Sequence, residues 1–130
     1  MTRSLGVRAR LWLPPVVYMA LIFHFSAESN PMPEVTAHVW DKLLHTIEYF
    51  WLALLFARAL TGEGLTWLVA IIVATLLTSA YGATDEYHQL FVPLRDSNVR
   101  DWIADTLGAT VGAIAWVLGT RGEPFGSWNA

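Results

Sequence analysis

The sequence predicts an all-α protein, a four-helix up-down bundle that spans a membrane. Of its 130 residues, 55% are hydrophobic and only 15% are charged, whereas about a quarter are charged in ordinary soluble domains. Residues 64–84 carry no charge at all, and about 18 apolar residues are enough to cross a bilayer. The length suits a single domain spanning residues 1–130. The net charge of -3, without a basic patch, argues against nucleic-acid binding.

Four segments have the length expected of spanning helices, at about residues 11–27, 39–60, 65–90 and 99–119. Pro31 and Pro33 end the first, because proline has no amide hydrogen and disfavours α geometry in the residue before it. Two glycines in residues 61–64 predict a tight turn between the second and third helices, and Pro93 with the polar residues 95–98 separates the third from the fourth. Residues 121–130 are expected to form a flexible tail.

Two other interpretations of these segments were weighed. A soluble helical bundle would need a charged outer stripe on each helix, and residues 65–80 carry no charge on any face. A cleaved signal peptide would explain the basic start and apolar stretch of the first segment, but Phe25 stands where a small residue is wanted and Pro14 and Pro15 interrupt its core. Membrane-spanning helices fit better than either alternative.

The positions of Lys and Arg predict how the bundle is inserted. In an up-down bundle, one side of the membrane holds five basic residues and the other holds three. The first set is Arg3, Arg8, Arg10, Arg58 and Arg121, and the second is Lys42, Arg95 and Arg100. Because cytoplasmic loops carry the excess of basic residues, we expect both termini in the cytoplasm of a bacterial cell, with the protein in the cytoplasmic membrane.

Polar residues gather at the opposite end of the four helices. All four histidines lie there, with nine of the eleven acidic residues. Asp41, His45 and Glu48 follow the i, i+4, i+7 spacing of one helix face, and Asp101 and Asp105 are at i, i+4. The face of Asp105 continues through glycines at 108 and 112, which is typical of close helix packing in membranes. Ionisable residues within a span are costly and usually mark a site, so the pattern predicts a polar cavity.

The candidate catalytic residues are His45, Glu48, Asp85, Glu86 and His88. The candidate substrate-binding residues are Ser26, Asp41, Lys42, Gln89, Arg95, Arg100, Asp101 and Asp105. Histidine beside carboxylates suits general acid/base chemistry, and arginine binds phosphate or carboxylate. The alternative for any one residue is a structural contact between helices. A divalent metal such as Zn²⁺, Mn²⁺ or Mg²⁺ is possible with these ligands, although no His-Glu-x-x-His spacing occurs.

Three stretches resemble the signature segments of the VanZ-like membrane protein family. They are DKLLHTIEYF at residues 41–50, YGATDEYHQLFVP at 81–93, and Arg95 followed by DWIADTLG at 101–108; FSAE at 25–28 stands where the family has a Ser-rich tripeptide. The resemblance covers roughly residues 18–115. It implies a multi-pass protein of the bacterial cell envelope, linked by the family's name to resistance against glycopeptide antibiotics such as teicoplanin, and it implies no reaction.

Three functions remain open on the sequence. The first is a membrane-embedded enzyme that acts on a lipid or lipid-linked anionic molecule of the envelope. The second is a non-catalytic module that binds or shields the antibiotic or a lipid-linked cell-wall precursor. The third, a small transporter or scaffold, fits less well, because the other halves of the helices are nearly free of the ionisable groups that a proton path needs. The expected partners are the lipid bilayer and a lipid-linked or anionic envelope substrate, and the oligomeric state is open.

Overall fold

The computed structural model describes residues 3–26, 35–92 and 99–122, and for residues 35–42 it describes the backbone only. These residues form four helices and no strand: α1 (Leu5–Ser26), α2 (Val35–Gly62), α3 (Trp67–Gln89) and α4 (Val99–Thr120). All four are long and apolar enough to cross a membrane. The predicted all-α, four-helix class is confirmed, and the chain is a multi-pass membrane protein.

The helix bounds differ from the predicted ones by a few residues, and the largest differences are at the starts of α1 and α2. α1 begins at Leu5 rather than near residue 11, because the Ser4 hydroxyl accepts a hydrogen bond from the Val7 amide at 3.3 Å and caps the helix there. Arg8 and Arg10 therefore lie within the first turns of α1. α2 begins at Val35, four residues before the predicted start. The predicted tail lies outside the described residues from residue 123 onward.

Helices that follow one another in the chain run in opposite directions, as contacts at the two ends of the bundle show. The Arg58 guanidinium near the end of α2 donates to the Arg10 carbonyl near the start of α1, at 3.1 Å. That carbonyl is free to accept because Pro14, four residues later, has no amide hydrogen. Gln89 at the end of α3 reaches Ser26 at the end of α1, so these two helices are parallel.

α2 is the central helix, with 44% of its spanning segment buried against 17% for α1. Its core side chains, Tyr49, Leu52 and Phe56 among them, pack against small residues of the neighbours. α3 contributes Ala70 and Ala74, and α4 contributes Ala109 and Ala113. Inside a bilayer no hydrophobic force drives helices together, so their association depends on close packing, which small residues allow. The large apolar side chains that point outward, such as those of Leu68, Ile72 and Leu76 on α3, form the surface for lipid.

The closest helix approach is between α2 and α4, which run parallel. A Cβ added to Gly108 would lie 2.7 Å from the Thr46 carbonyl oxygen, and one added to Gly112 would overlap the Phe50 carbonyl group. Only glycine fits at these two places. The α2–α3 connection is equally tight: Gly64 has a φ of 104°, a left-handed conformation that favours glycine.

Most hydroxyl groups within the spans are satisfied by their own helix. The side chains of Thr61, Thr106, Thr110 and Thr120 each donate to the carbonyl four residues earlier, at 2.8–2.9 Å. Such bonds remove the cost of placing a hydroxyl in hydrocarbon. Apart from the hydroxyl groups of Thr75 and Thr78, the buried side-chain atoms without a hydrogen bond among the described residues lie near one end of the bundle, where the helix ends Ser26 and Gln89 meet.

Candidate functional site

Buried polar side chains from all four helices meet near one end of the bundle. α2 supplies His45, α3 supplies Asp85 and Glu86, and α4 supplies Asp105; each of these side chains is buried. α1 contributes the buried Ser26 at its last residue. At 1.5 Å per residue, Asp105 lies about 9 Å along α4 from the first residue of that helix. These groups are thus within the spanning segments, below the helix ends.

Three of these residues form a compact triad, one from each of three helices. His45, Glu86 and Asp105 each place a potential ligand or proton-transfer atom within 4.8 Å of the other two. Within the triad, His45 Nδ1 lies 3.7 Å from Asp105 Oδ1. The triad depends on the close α2–α4 approach, because Gly108 is within one turn of Asp105 and lies against Thr46, the neighbour of His45.

Asp105 is the most unusual member of the triad. Its side chain is completely buried, and among the described residues neither carboxylate oxygen accepts a hydrogen bond of ordinary length; His45 Nδ1, 3.7 Å from Oδ1, is an ion-pair partner. Among the described residues, His45 is its sole ion-pair contact, since no Lys or Arg there lies within 4.0 Å. A buried carboxylate without donors is energetically costly, and native proteins keep few of them. This atom arrangement calls for a partner that the described side chains do not supply.

A tyrosine that the sequence analysis did not select joins the cluster. Tyr49 is completely buried, and its hydroxyl donates to Asp85 Oδ2 at 3.1 Å. Its ring lies nearly parallel to that of His45, with centroids 6.2 Å apart. The second oxygen of Asp85, Oδ1, is buried without a hydrogen bond. The spacing was visible in the sequence, because Tyr49 follows His45 by four residues and shares its helix face.

The Gln89 side chain links the cluster to α1. Its amide nitrogen donates to the Ser26 hydroxyl at 3.0 Å, and both residues are buried. A second contact lies deeper, where the Tyr81 hydroxyl donates to the Met19 carbonyl. α1 is thereby held over α3 beside the site. Two of the predicted substrate-binding residues, Ser26 and Gln89, are thus adjacent.

Gly82 and Trp102 form the wall between α3 and α4 below the carboxylates. A Cβ on Gly82 would lie 3.4 Å from atoms of both Trp102 and Tyr49 and 3.8 Å from Asp105 Cβ. The Trp102 indole donates to the Ser79 carbonyl at 2.9 Å, which fixes the ring. Because residue 82 of α3 is glycine, both the Trp102 ring and the Tyr49 ring can pack close to the α3 backbone at this position.

Several predicted residues lie away from the triad. The His88 ring packs on Phe23 of α1, with centroids 4.5 Å apart, and on a helix His88 is about 160° from Glu86. Glu48 is half-buried and lies near Tyr18 and Tyr81, close enough for electrostatic interaction with both. Arg100 is exposed at the start of α4.

The remaining predicted residues are at the rim or outside the description. Asp101 is half-buried one turn before Asp105, and one of its oxygens is buried without a hydrogen bond. Asp41 and Lys42 are on α2, but their side chains lie outside the described residues, and so does the whole of Arg95. Roles for these residues stay predictions.

The opposite end of the bundle has a different character. There Glu63 accepts a hydrogen bond from the Trp12 indole at 3.0 Å and lies 3.3 Å from Arg8. The Trp116 indole donates to the Thr61 hydroxyl at 3.1 Å. Each of these polar groups has a partner, so this end reads as structural. The cluster of unsatisfied carboxylate oxygens is the part of the described chain that is equipped for proton transfer or for cation binding.

Comparison with known proteins gives one match. No curated protein and no solved structure is similar enough to this chain to register as a match. The sequence model of the VanZ/LLP1 family, in contrast, matches residues 5–120, from the first residue of α1 to the last of α4. The predicted resemblance is therefore confirmed, and the chain belongs to the VanZ/LLP1 family.

Proposed function

We propose that this protein is a membrane-embedded hydrolase that cleaves a phosphate ester of a lipid or lipid-linked envelope molecule. The observation that carries the proposal is the buried polar cluster itself. The cluster lies within the spans and consists of His45, Asp85, Glu86 and Asp105. Ionisable groups are costly at this depth, and those that proteins keep there usually mark a functional site. A site at this depth suits an amphiphile, whose tail remains in the bilayer while its head group enters the cluster.

Asp85 is the group best placed to move a proton. Its Oδ2 is fixed by the Tyr49 hydroxyl, and its Oδ1, which has no hydrogen-bond partner among the described residues, is available to accept a proton. A water molecule attacks the phosphorus and passes one proton to Asp85. The bond between phosphorus and the lipid oxygen breaks, and that oxygen takes the proton back from Asp85. The products are the lipid alcohol and inorganic phosphate, and Asp85 is regenerated.

The basic residues near the site favour an anionic substrate. Arg100 is exposed at the start of α4, on the same end of the bundle as the cluster. Arginine binds phosphate through paired hydrogen bonds. The distribution of basic residues, with Arg8, Arg10 and Arg58 at the other end, further indicates that the site opens to the outer face of the cytoplasmic membrane. The link to glycopeptide resistance belongs to this proposal, since cell-wall precursors are carried on lipid phosphates.

The test uses the purified full-length protein in detergent with polyprenyl phosphate and phosphatidic acid, two lipid phosphomonoesters, and measures phosphate release. We expect turnover of at least one of them and a loss of more than about 100-fold in Asp85→Asn, the size of effect typical of a general base. Substrate binding, measured by thermal shift, should change little. Thr84→Ala is the matched control, because Thr84 is the preceding residue on α3 and is exposed.

Two results would refute the enzyme. One is the absence of turnover on every substrate class together with tight binding of one of them, which is the behaviour of a binding or shielding module. The other is full turnover in Asp85→Asn, which would remove the proton acceptor from the mechanism.

A further inference from the structure

We infer that His45, Glu86 and Asp105 bind a divalent cation of the zinc or manganese type, and that this ion mediates recognition of the phosphate group. The inference rests on the proposed function in one respect, since it concerns the same site. Its structural basis is separate, and it follows from the donor atoms, their spacing and the state of Asp105.

The donor set is the first argument. One imidazole nitrogen and two carboxylate oxygens come from three different helices, and the three atoms lie within 4.8 Å of one another. Two ligands of one ion with bonds of about 2.1 Å are roughly 3.0–3.4 Å apart. Side-chain rotations that move each atom by an ångström or less close this gap. All three residues are buried, so water competes little for the ion.

The state of Asp105 is the second, independent argument. Its side chain is completely buried, its oxygens accept no hydrogen bond of ordinary length from the part of the chain that the structure describes, and one of them lies within 4.8 Å of donor atoms of His45 and Glu86. Thr61, Thr106 and Thr110 in the spans donate to the backbone of their own helices. An ionised carboxylate has no hydrogen to donate and cannot be satisfied in this way. A cation between the three side chains supplies the missing partner for both oxygens.

Charge is the third argument. The proposed substrate is an anion, and the carboxylates of Asp85, Glu86 and Asp105 would repel it at close range. A divalent ion neutralises the two carboxylates of the triad, which removes most of this repulsion, and gives the phosphate an oxygen-binding position. Three protein ligands leave coordination positions open, which is the arrangement of catalytic rather than structural metal sites. Asp85, held by Tyr49, remains outside the ligand set and free to accept a proton.

The mixed donor set favours particular metals. Imidazole suits zinc and other transition metals, whereas carboxylate oxygens also suit manganese and magnesium. A histidine ligand therefore selects against calcium and magnesium. We expect Zn²⁺ or Mn²⁺ to be retained in purification and Mg²⁺ to replace them poorly.

The experiment measures metal content of the full-length protein, purified without chelator and with its affinity tag removed. We expect about one zinc or manganese ion per chain. After removal with a chelator, Zn²⁺ and Mn²⁺ should each rebind and raise the thermal unfolding midpoint. His45→Gln and Asp105→Asn should weaken rebinding by at least about tenfold, since loss of even outer-shell partners costs 10–100-fold.

Matched controls test whether the ion is held by this triad. His24→Gln removes an exposed histidine at the same end of the bundle, and Glu63→Gln removes a carboxylate at the other end. Both should bind metal as the unmodified protein does. The inference is overturned if the unmodified protein holds no transition metal and shows no thermal shift with added ion, a result that requires no variant to fold. It is also overturned if His45→Gln and Asp105→Asn, folded by circular dichroism, bind as tightly as the controls.

The two proposals fail in different ways. A protein that binds one ion through this triad but hydrolyses no substrate keeps the metal site and loses the proposed hydrolase. A protein that hydrolyses a lipid phosphate with no metal bound and no effect of chelator keeps the hydrolase and loses the metal site.

Discussion

Replacing Gly112 with alanine should separate α2 from α4 and loosen the bundle. An alanine Cβ at this position would lie 2.8 Å from the Phe50 carbonyl carbon and 3.0 Å from its Cα, whereas ordinary contacts are 3.4–4 Å. The obstacle is backbone, which no side-chain rotation can remove. The two helices must therefore move apart by about 1 Å. Overpacking of this kind costs about 1–3 kcal/mol. The core contacts of Ala109 and Ala113 with α2 would be weakened by the same movement.

The measurement is the free energy of unfolding of the purified protein, from titration with a denaturing detergent. Gly119→Ala is the control on the same helix, because a Cβ there meets nothing within 4 Å. Alanine is the better helix former by about 1 kcal/mol, so this control should be neutral or slightly stabilised. If Gly112→Ala proves as stable as Gly119→Ala, the α2–α4 contact is not as close as described, and the geometry of the triad would have to be reconsidered with it.

Two further predictions concern the tyrosine and the orientation. Tyr49→Phe keeps the ring but leaves Asp85 Oδ2 buried without its donor, so the free energy of unfolding in the same titration should fall by about 1–3 kcal/mol. An unchanged free energy of unfolding would mean that this hydrogen bond does not stabilise the protein. A reporter fused after Gly62, at the end of α2, should be active as a cytoplasmic reporter, because this end carries Arg8, Arg10 and Arg58. Periplasmic activity at that position would place the site on the cytoplasmic side instead.

The fold followed from the sequence because its signals are local. Charge-free stretches, prolines and paired glycines report on single segments, and α3 and α4 lie within two residues of their predicted bounds. The start of α1 was placed too late because the absence of charge was used as the signal. Arg8 and Arg10 are compatible with a helix, and the cap at Ser4 decides where it begins.

The site was predictable as a region but not as an arrangement. Spacing places His45 and Asp105 on inward faces, since i, i+4 patterns define a face within one helix. How α3 is rotated about its axis is set by packing against its neighbours, which no spacing within α3 reveals. This is why spacing groups His88 with Asp85, three residues earlier, although the His88 ring packs on Phe23 of α1. The role of Tyr49 likewise required the distance to Asp85, a residue of another helix.

The distribution of apolar residues has a consequence for how the protein enters the bilayer. α3 carries two adjacent buried carboxylates, and it is also the most apolar of the four spans. An acidic residue at the centre of an inserting helix costs about 2.5–3.5 kcal/mol, and Asp85 and Glu86 cost less than this because they lie near the end of α3. Each Leu, Ile or Val returns roughly 0.3–0.6 kcal/mol. The run from Leu68 to Leu77 therefore offsets much of the cost of Asp85 and Glu86 during translocon partitioning. The apolar first half of α3 thus helps the second half, which carries Asp85 and Glu86, to insert into the bilayer.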